Sequence, residues 1–190
     1  MTPLEWLASG LGLLGVWLTV RQNPLCWPVG LVMVVLYAVF FFQAQLYSQV
    51  LLHVVFAAMQ LYGAWQWRRG LDEHGIRPVS SAGAREMLAG LAGALLIGVA
   101  LGAAMAAFTD AEYPHIDALL TAFSLLAQLW MALKRWQCWV LWLLLDLLYV
   151  AFFAIQGYLP TAVLYALFCL LALAGLRSWR TSLRRYGATA

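Results

Sequence analysis

Charged residues are scarce in this chain: Asp, Glu, Lys and Arg make up 10% of its 190 residues. Soluble globular domains carry about 25%, so a water-soluble globule is excluded. The same scarcity removes other classes. Lys134 is the single lysine and sits at the edge of an apolar stretch, which excludes a seven-span receptor holding retinal on a mid-span lysine. No Ser–His or Asp–Asp arrangement occurs at helical spacing, so an intramembrane enzyme would lack its acid and base or its activated nucleophile. The histidines His53, His74 and His115 are scattered, and neither a metal cluster nor a cofactor is expected. Cys26, Cys138 and Cys169 are an odd number, and the first two fall near the expected cytoplasmic side, where thiols stay reduced, so no disulfide is expected.

What the chain has in abundance is apolar residues, at 65%. Seven apolar stretches can be read: Leu4–Val20, Leu25–Phe42, Ser48–Trp67, Met87–Phe108, Ile116–Leu133, Trp136–Ala154 and Tyr158–Leu176. Each is close to the roughly 17–25 residues that span a hydrocarbon core. All eleven basic residues fall in every second gap: Arg21 after the first stretch, Arg68, Arg69, Arg77 and Arg85 after the third, Lys134 and Arg135 after the fifth, and Arg177, Arg180, Arg184 and Arg185 after the seventh. Basic loops mark the cytoplasmic side. The expectation is an all-α membrane protein of seven transmembrane helices, N-terminus outside and C-terminus in the cytoplasm. The first stretch has no basic leader and no clear cleavage site, so it reads as a retained helix. The net charge of +3 follows from this topology and calls for no nucleic-acid partner; the partners are the lipid bilayer and a small molecule, and a homo-oligomer is admitted but not required.

A repeat underlies the pattern. Shifted by 112 positions, the first three stretches fall on the last three: Cys26-Trp27 on Cys138-Trp139, Tyr37 on Tyr149, Phe40-Phe41 on Phe152-Phe153, Phe56 on Phe168, Gly63 on Gly175 and Trp67-Arg68 on Trp179-Arg180. Gln45 and Tyr47 match Gln156 and Tyr158 after a one-residue slip. Adjacent triplets would face opposite ways, and the fourth stretch restores the direction of the second, giving a 3+1+3 plan with parallel three-helix repeats. The expected units are 1–69, a loop and linker helix at 70–112, and 113–190. The fourth stretch is rich in Gly and Ala, which suits close helix packing.

Residues present in only one repeat are the better candidates for binding an asymmetric ligand. Trp139, Trp142, Asp146 and Tyr149 follow one another by three, four and three, which places them on one helix face at about 100° per residue. Their equivalents are Trp27, Gly30, Val34 and Tyr37. Glu5 and Asp117 fall at the outer ends of their stretches, and Asp146 is the one acid at mid-span. A mid-span carboxylate costs about 2.5–3.5 kcal/mol on insertion scales and normally faces the bundle interior or water, so Asp146 reads as a site residue, with a hydrogen-bonded structural carboxylate as the alternative. Trp142 reads as a stacking face beside it, and Trp139 as either site or packing. Gln60 and Gln128 are site residues or interhelical glue, Ser124 shares the Gln128 face, and His53, on the Gln60 face, reads as a packing histidine before a proton relay; with Tyr37 and Tyr149 these make nine candidate substrate-binding residues. Trp6, Trp65, Trp67 and Trp179 read as interfacial belt residues. A carboxylate beside indole faces suits a cationic aromatic molecule.

The stretch Cys138-Trp139-Val140-Leu141-Trp142, with Asp146 and Tyr149, then Gly157-Tyr158, Leu164-Tyr165, Gly175 and Trp179-Arg180, resembles the W-x-x-W region and following helix of the PnuC vitamin-precursor transporters. Gln60-Leu61-Tyr62-Gly63-Ala64-Trp65-Gln66-Trp67 resembles their third-helix segment. The likeness covers essentially the whole chain, although the extra N-terminal segment of longer members has no counterpart here. It implies a bacterial inner-membrane carrier with a fold like full-length SWEET transporters, taking up nicotinamide riboside by facilitated diffusion with trapping by phosphorylation inside the cell. Relatives carry thiamine or other vitamins. Nicotinamide riboside and thiamine both hold a permanently positive aromatic ring, so Trp142 and Asp146 do not choose between them.

The segregation of basic residues makes a direct prediction. A cysteine placed at Ser80 on a cysteine-free background is expected to resist an impermeant thiol reagent applied from outside; strong labelling would overturn the seven-span topology.

Overall fold

The computed structural model describes residues 3–43, 47–69, 77–109 and 113–187. Gln45, one of the repeat matches, lies outside the described residues, as do the expected loop residues 70–76 and 110–112 and the ends 1–2 and 188–190. Seven helices occupy the described segments: α1 (Pro3–Val20), α2 (Cys26–Gln43), α3 (Tyr47–Arg68), α4 (Ala84–Phe108), α5 (Pro114–Ala132), α6 (Cys138–Ile155) and α7 (Leu159–Gly187). Each apolar stretch is one helix. α2, α4, α5, α6 and α7 are long and apolar enough to cross a membrane on length and composition alone. The apolar run of α1 is shorter, at Trp6–Val20, and α3 is diluted by His53, Gln60 and Gln66; both stand in the same bundle as the other helices.

The helix order in space follows the 3+1+3 plan. α1 packs on α2, α2 on α3, α3 on α5, α5 on α6, α6 on α7, and α7 back on α1. Six helices therefore close a ring, and α4 stands outside it against α5 alone among the described residues. Small residues allow that approach: a Cβ built on Gly98 would lie 3.1 Å from the Leu119 Cα, and one on Gly102 would lie 3.0 Å from the His115 Cα. In lipid, close van der Waals contact of this kind holds helices together, because hydrocarbon supplies no hydrophobic drive between them.

The repeat is legible in side-chain detail. The Trp27 ring lies over Gly63 and meets Trp67 edge-on at 5.3 Å; the Trp139 ring lies over Gly175 and meets Trp179 edge-on at 5.5 Å. The Trp67 indole donates to the Met131 carbonyl at 3.2 Å, and the Trp179 indole donates to the Thr19 carbonyl at 3.1 Å. Both bonds cross from one repeat to the other. Trp67 and Trp179 themselves meet at 6.1 Å. Such aromatic pairs contribute about 0.5–1.5 kcal/mol each beyond burial. Here the reading of Trp67 and Trp179 as interfacial belt residues is corrected: they are 3% and 0% exposed. Their place at the ends of apolar stretches suggested the interface; the pull of an inward-facing carbonyl acceptor decides otherwise. Trp6 and Trp65 are exposed.

α7 continues well past Leu176, where the apolar stretch stops. Ser178 donates to the Val20 carbonyl at 3.2 Å and the Gln22 amide donates to Ser182 at 2.9 Å, so the extension is tied to the turn after α1. That turn has a residue in the left-handed region, Gln22 at φ 56°, and its equivalent after α5 is Lys134 at φ 54°. A left-handed residue is a common helix stop. Lys134 is 1% exposed. Its ammonium group donates to the Arg77 carbonyl at 2.8 Å and to Gln22 Oε1 at 3.3 Å, and sits 4.4 Å from the Trp67 ring centre. The segment before α4 crosses this end of the ring. Ser80 pairs with the backbone on both sides of Arg135, at 2.9 and 3.1 Å, the Gln137 amide binds both backbone groups of Ala82, and Arg135 pairs with Glu86 at 3.0 Å.

The two glycine seats set a stability test. A methyl on Gly63 or Gly175 would enter the ring of Trp27 or Trp139, and overpacking of a rigid ring costs typically about 1–3 kcal/mol. Gly63→Ala and Gly175→Ala are expected to lower the melting temperature in detergent. Gly93→Ala, where a Cβ meets nothing within 4 Å, is expected to leave it unchanged or raise it.

Candidate functional site

The ring encloses a cavity of about 410 Å³. Every helix of the ring contributes to its wall and α4 contributes nothing. Its depth follows the order of residues along the helices. At the end bearing the basic loops the floor is Thr19, Trp27, Met131 and Trp139. At the opposite end the wall is aromatic and repeats itself: Tyr37 stacks on Phe41 at 6.1 Å and 20°, and Tyr149 on Phe153 at 6.2 Å and 20°. His53 lies 5.7 Å from Tyr37, and its equivalent Tyr165 lies 4.7 Å from Tyr149.

All nine residues singled out from the sequence border this cavity. The repeat separates them into two groups. Trp139, Tyr149, Tyr37 and His53 have aromatic counterparts at the equivalent positions, and their ring contacts repeat in the two halves. Trp139 is 1% exposed, and its ring is taken up by Gly175 and Trp179. The other five lie at mid-depth and have no polar or aromatic equivalent. Trp142 is matched by Gly30, Asp146 by Val34, Gln60 by Ala172, Ser124 by Gly12 and Gln128 by Val16. All five counterparts line the cavity too.

The side on which these residues fall is a product of the ring order. Gln60 is on α3, Ser124 and Gln128 on α5, and Trp142 and Asp146 on α6. α3, α5 and α6 are consecutive in the ring. The counterparts are on α7, α1 and α2, also consecutive. At mid-depth the cavity therefore has one polar wall and one apolar wall, and the boundary between them does not follow the boundary between the repeats.

Asp146, Gln128 and Ser124 are 6%, 7% and 5% exposed. Among the described residues no group hydrogen-bonds to the Asp146 carboxylate, the Gln60 amide or the Gln128 amide. These three border the cavity, so the wall offers a carboxyl group and two amides to whatever enters. The indole N–H groups of Trp27, Trp139 and Trp142 are also buried without a partner among the described residues. No three His, Cys, Asp or Glu side chains come together among the described residues.

Sequence reasoning passed over Gly30, Trp27, Tyr165 and Phe168, all of which border the cavity. The repeat carried the signal for each, since they are the equivalents of Trp142, Trp139, His53 and Phe56. Equivalent positions in a closed ring reach the same cavity.

Comparison with known proteins bears on the whole chain. The sequence pattern of the family described as "Nicotinamide mononucleotide transporter" matches residues 2–181. The nicotinamide riboside transporter PnuC of Escherichia coli (strain K12) is 26% identical over 212 residues, covering 98% of this chain and 89% of that protein. The riboflavin/roseoflavin transporter RibM of Streptomyces davaonensis is 29% identical over 188 residues, covering 95% and 86%. A crystal structure of the vitamin B3 transporter PnuC shares the fold, with a TM-score of 0.78 at 21% identity over 96% of this chain and 82% of that one. A ring of helices around one cavity and a family match along nearly the full sequence lead to the same place: the chain is a multi-pass membrane transporter, not an enzyme, and belongs to the nicotinamide mononucleotide transporter family.

Proposed function

We propose that this protein imports nicotinamide riboside across the bacterial inner membrane, by facilitated diffusion, with trapping by phosphorylation in the cytoplasm. The observation that carries the reading is the buried Asp146 carboxylate, without a protein partner among the described residues and on the same cavity wall as Trp142. A carboxylate in a poorly hydrated site favours an opposite charge strongly, and a cation over an indole face gains about 2 kcal/mol when desolvated. The pyridinium ring of the riboside would be held by Asp146 and Trp142, and Gln60 and Gln128 would meet its amide and hydroxyl groups. The basic loops would face the cytoplasm. Uptake would need no coupled ion, because the single acid at mid-span serves the substrate. The kinship with nicotinamide riboside transporters supports this choice of ligand. Thiamine is the competing ligand, because its ring carries the same charge and the same two residues would suit it. Riboflavin, the ligand named for RibM, is neutral and gives Asp146 no charge to pair with.

Binding to the purified protein distinguishes these. Calorimetry is expected to rank nicotinamide riboside above thiamine and riboflavin, and the reverse order would reject the assignment. Asp146→Asn is expected to weaken the cationic riboside by tenfold or more, on the scale of a broken buried charge pair, while the neutral reduced riboside loses little. Equal losses would make Asp146 structural.

Trp142→Ala is expected to cost about 30-fold in affinity, the equivalent of about 2 kcal/mol; a variant that binds like the parent would make Trp142 packing. In proteoliposomes, accumulation driven by a proton or sodium gradient would place Asp146 in a coupling site.

A further inference from the structure

Gly30 looks at first like the empty counterpart of Trp142, and the geometry says otherwise. A Cβ built on Gly30 would lie 2.6 Å from Gln60 Nε2, 2.8 Å from Gln60 Cδ and 2.9 Å from Gln60 Oε1. The Gln60 amide is therefore laid flat against the α2 backbone, in the space where a side chain at position 30 would stand. Gly30 and Gln60 both border the cavity. At the equivalent positions of the other repeat the sizes are exchanged: Trp142 is large and Ala172 is small. The two repeats thus distribute bulk in opposite ways over this pair of positions, one carrying it on the third helix of its repeat and the other on the second.

We propose that Gly30 is a specificity-determining position, which acts by letting the Gln60 amide lie at the cavity wall and present its hydrogen-bonding edge to the substrate's carboxamide. This rests on the functional reading above. Gln60 has no hydrogen-bond partner among the described residues, so its donor and acceptor are both available, and a primary carboxamide offers the complementary pair. Gly30 touches no reacting atom and is a positioning residue. The three atoms nearest to a methyl at position 30 all belong to the far end of a flexible side chain. Gly30→Ala is then expected to fold while pushing the Gln60 amide off the wall. This contrasts with Gly63 and Gly175, where a methyl meets a rigid ring.

The test is a ratio, measured by calorimetry with nicotinamide riboside and with pyridine riboside, which has the same cationic ring and ribose and lacks the carboxamide. The parent is expected to favour nicotinamide riboside by about tenfold, the scale of two net hydrogen bonds. Gly30→Ala and Gln60→Ala should each bring the ratio close to one. The double variant Gly30→Ala/Gln60→Ala should lose no more than either single one, because both act through one amide. Gly30→Ala/Gln60→Asn, with an amide one methylene shorter, should fold at least as well as Gly30→Ala and regain part of the ratio. A Gly30→Ala variant that keeps the parent ratio, or that weakens both ligands equally, overturns the proposal. So does a Gly30→Ala variant that fails to fold and is not rescued by Gln60→Ala, since the methyl would then be meeting something else. A parent that binds neither riboside rejects both the functional reading and the assignment of the carboxamide, whereas a parent that binds both equally rejects only the role of Gln60 and Gly30.

Discussion

Two tryptophans seated on two glycines hold this molecule in shape. Trp27 of α2 presses into α3 at Gly63, and the Trp67 ring beside it carries the contact to the Met131 carbonyl at the end of α5. The same joint runs from Trp139 of α6 through Gly175 and Trp179 of α7 to the Thr19 carbonyl of α1. Each joint thus begins in one repeat and ends in the other. Together with the Trp67–Trp179 contact they draw both halves together at one end and make the floor of the cavity. A membrane protein has little hydrophobic drive to fold helix against helix, so a few close, hydrogen-bonded joints of this kind carry much of the specificity of assembly.

The closure at that end is completed by a buried cation. Lys134 occupies the position that Gln22 holds in the first repeat, and the two equivalent side chains meet each other. A buried ammonium is tolerated when its donors are met, and here the Arg77 carbonyl, the Gln22 amide oxygen and the Trp67 face meet it. The segment joining the repeats is therefore part of the structure and not only a tether. It supplies a carbonyl to Lys134 and a short backbone pairing to Arg135. α4, by contrast, takes no part in the ring or the cavity, as expected of a helix whose task is to set the direction of the second repeat.

Chemistry is laid on this scaffold asymmetrically. Where both repeats keep an aromatic residue, the ring contacts repeat. Where one repeat keeps a polar residue or an indole and the other a small or aliphatic residue, the position lies at mid-depth and faces the cavity. The exchange at positions 30 and 60 against 142 and 172 shows how the shape is kept while the chemistry changes. An amide and an indole read different features of a ligand.

Sequence alone determined the helices, their number and the repeat, because spans need apolar length and because basic residues mark alternate loops. It also singled out Trp142 and Asp146, since a lone mid-span carboxylate has few cheap positions in a bilayer. It misjudged Trp67 and Trp179, whose place near stretch ends looked interfacial; only the packed ring shows the carbonyls that hold them inside. It gave no sign that α7 continues past Leu176, because that extension is held by bonds to the distant turn after α1. Nor could it arrange the candidate residues in space. Gln60 is in the first repeat and Asp146 in the second, and they share one wall only because α3 packs beside α5 when the ring closes. Periodicity reports which face of a helix a residue takes, but which helices become neighbours is a long-range packing decision, and the polarity of the cavity is set by that decision.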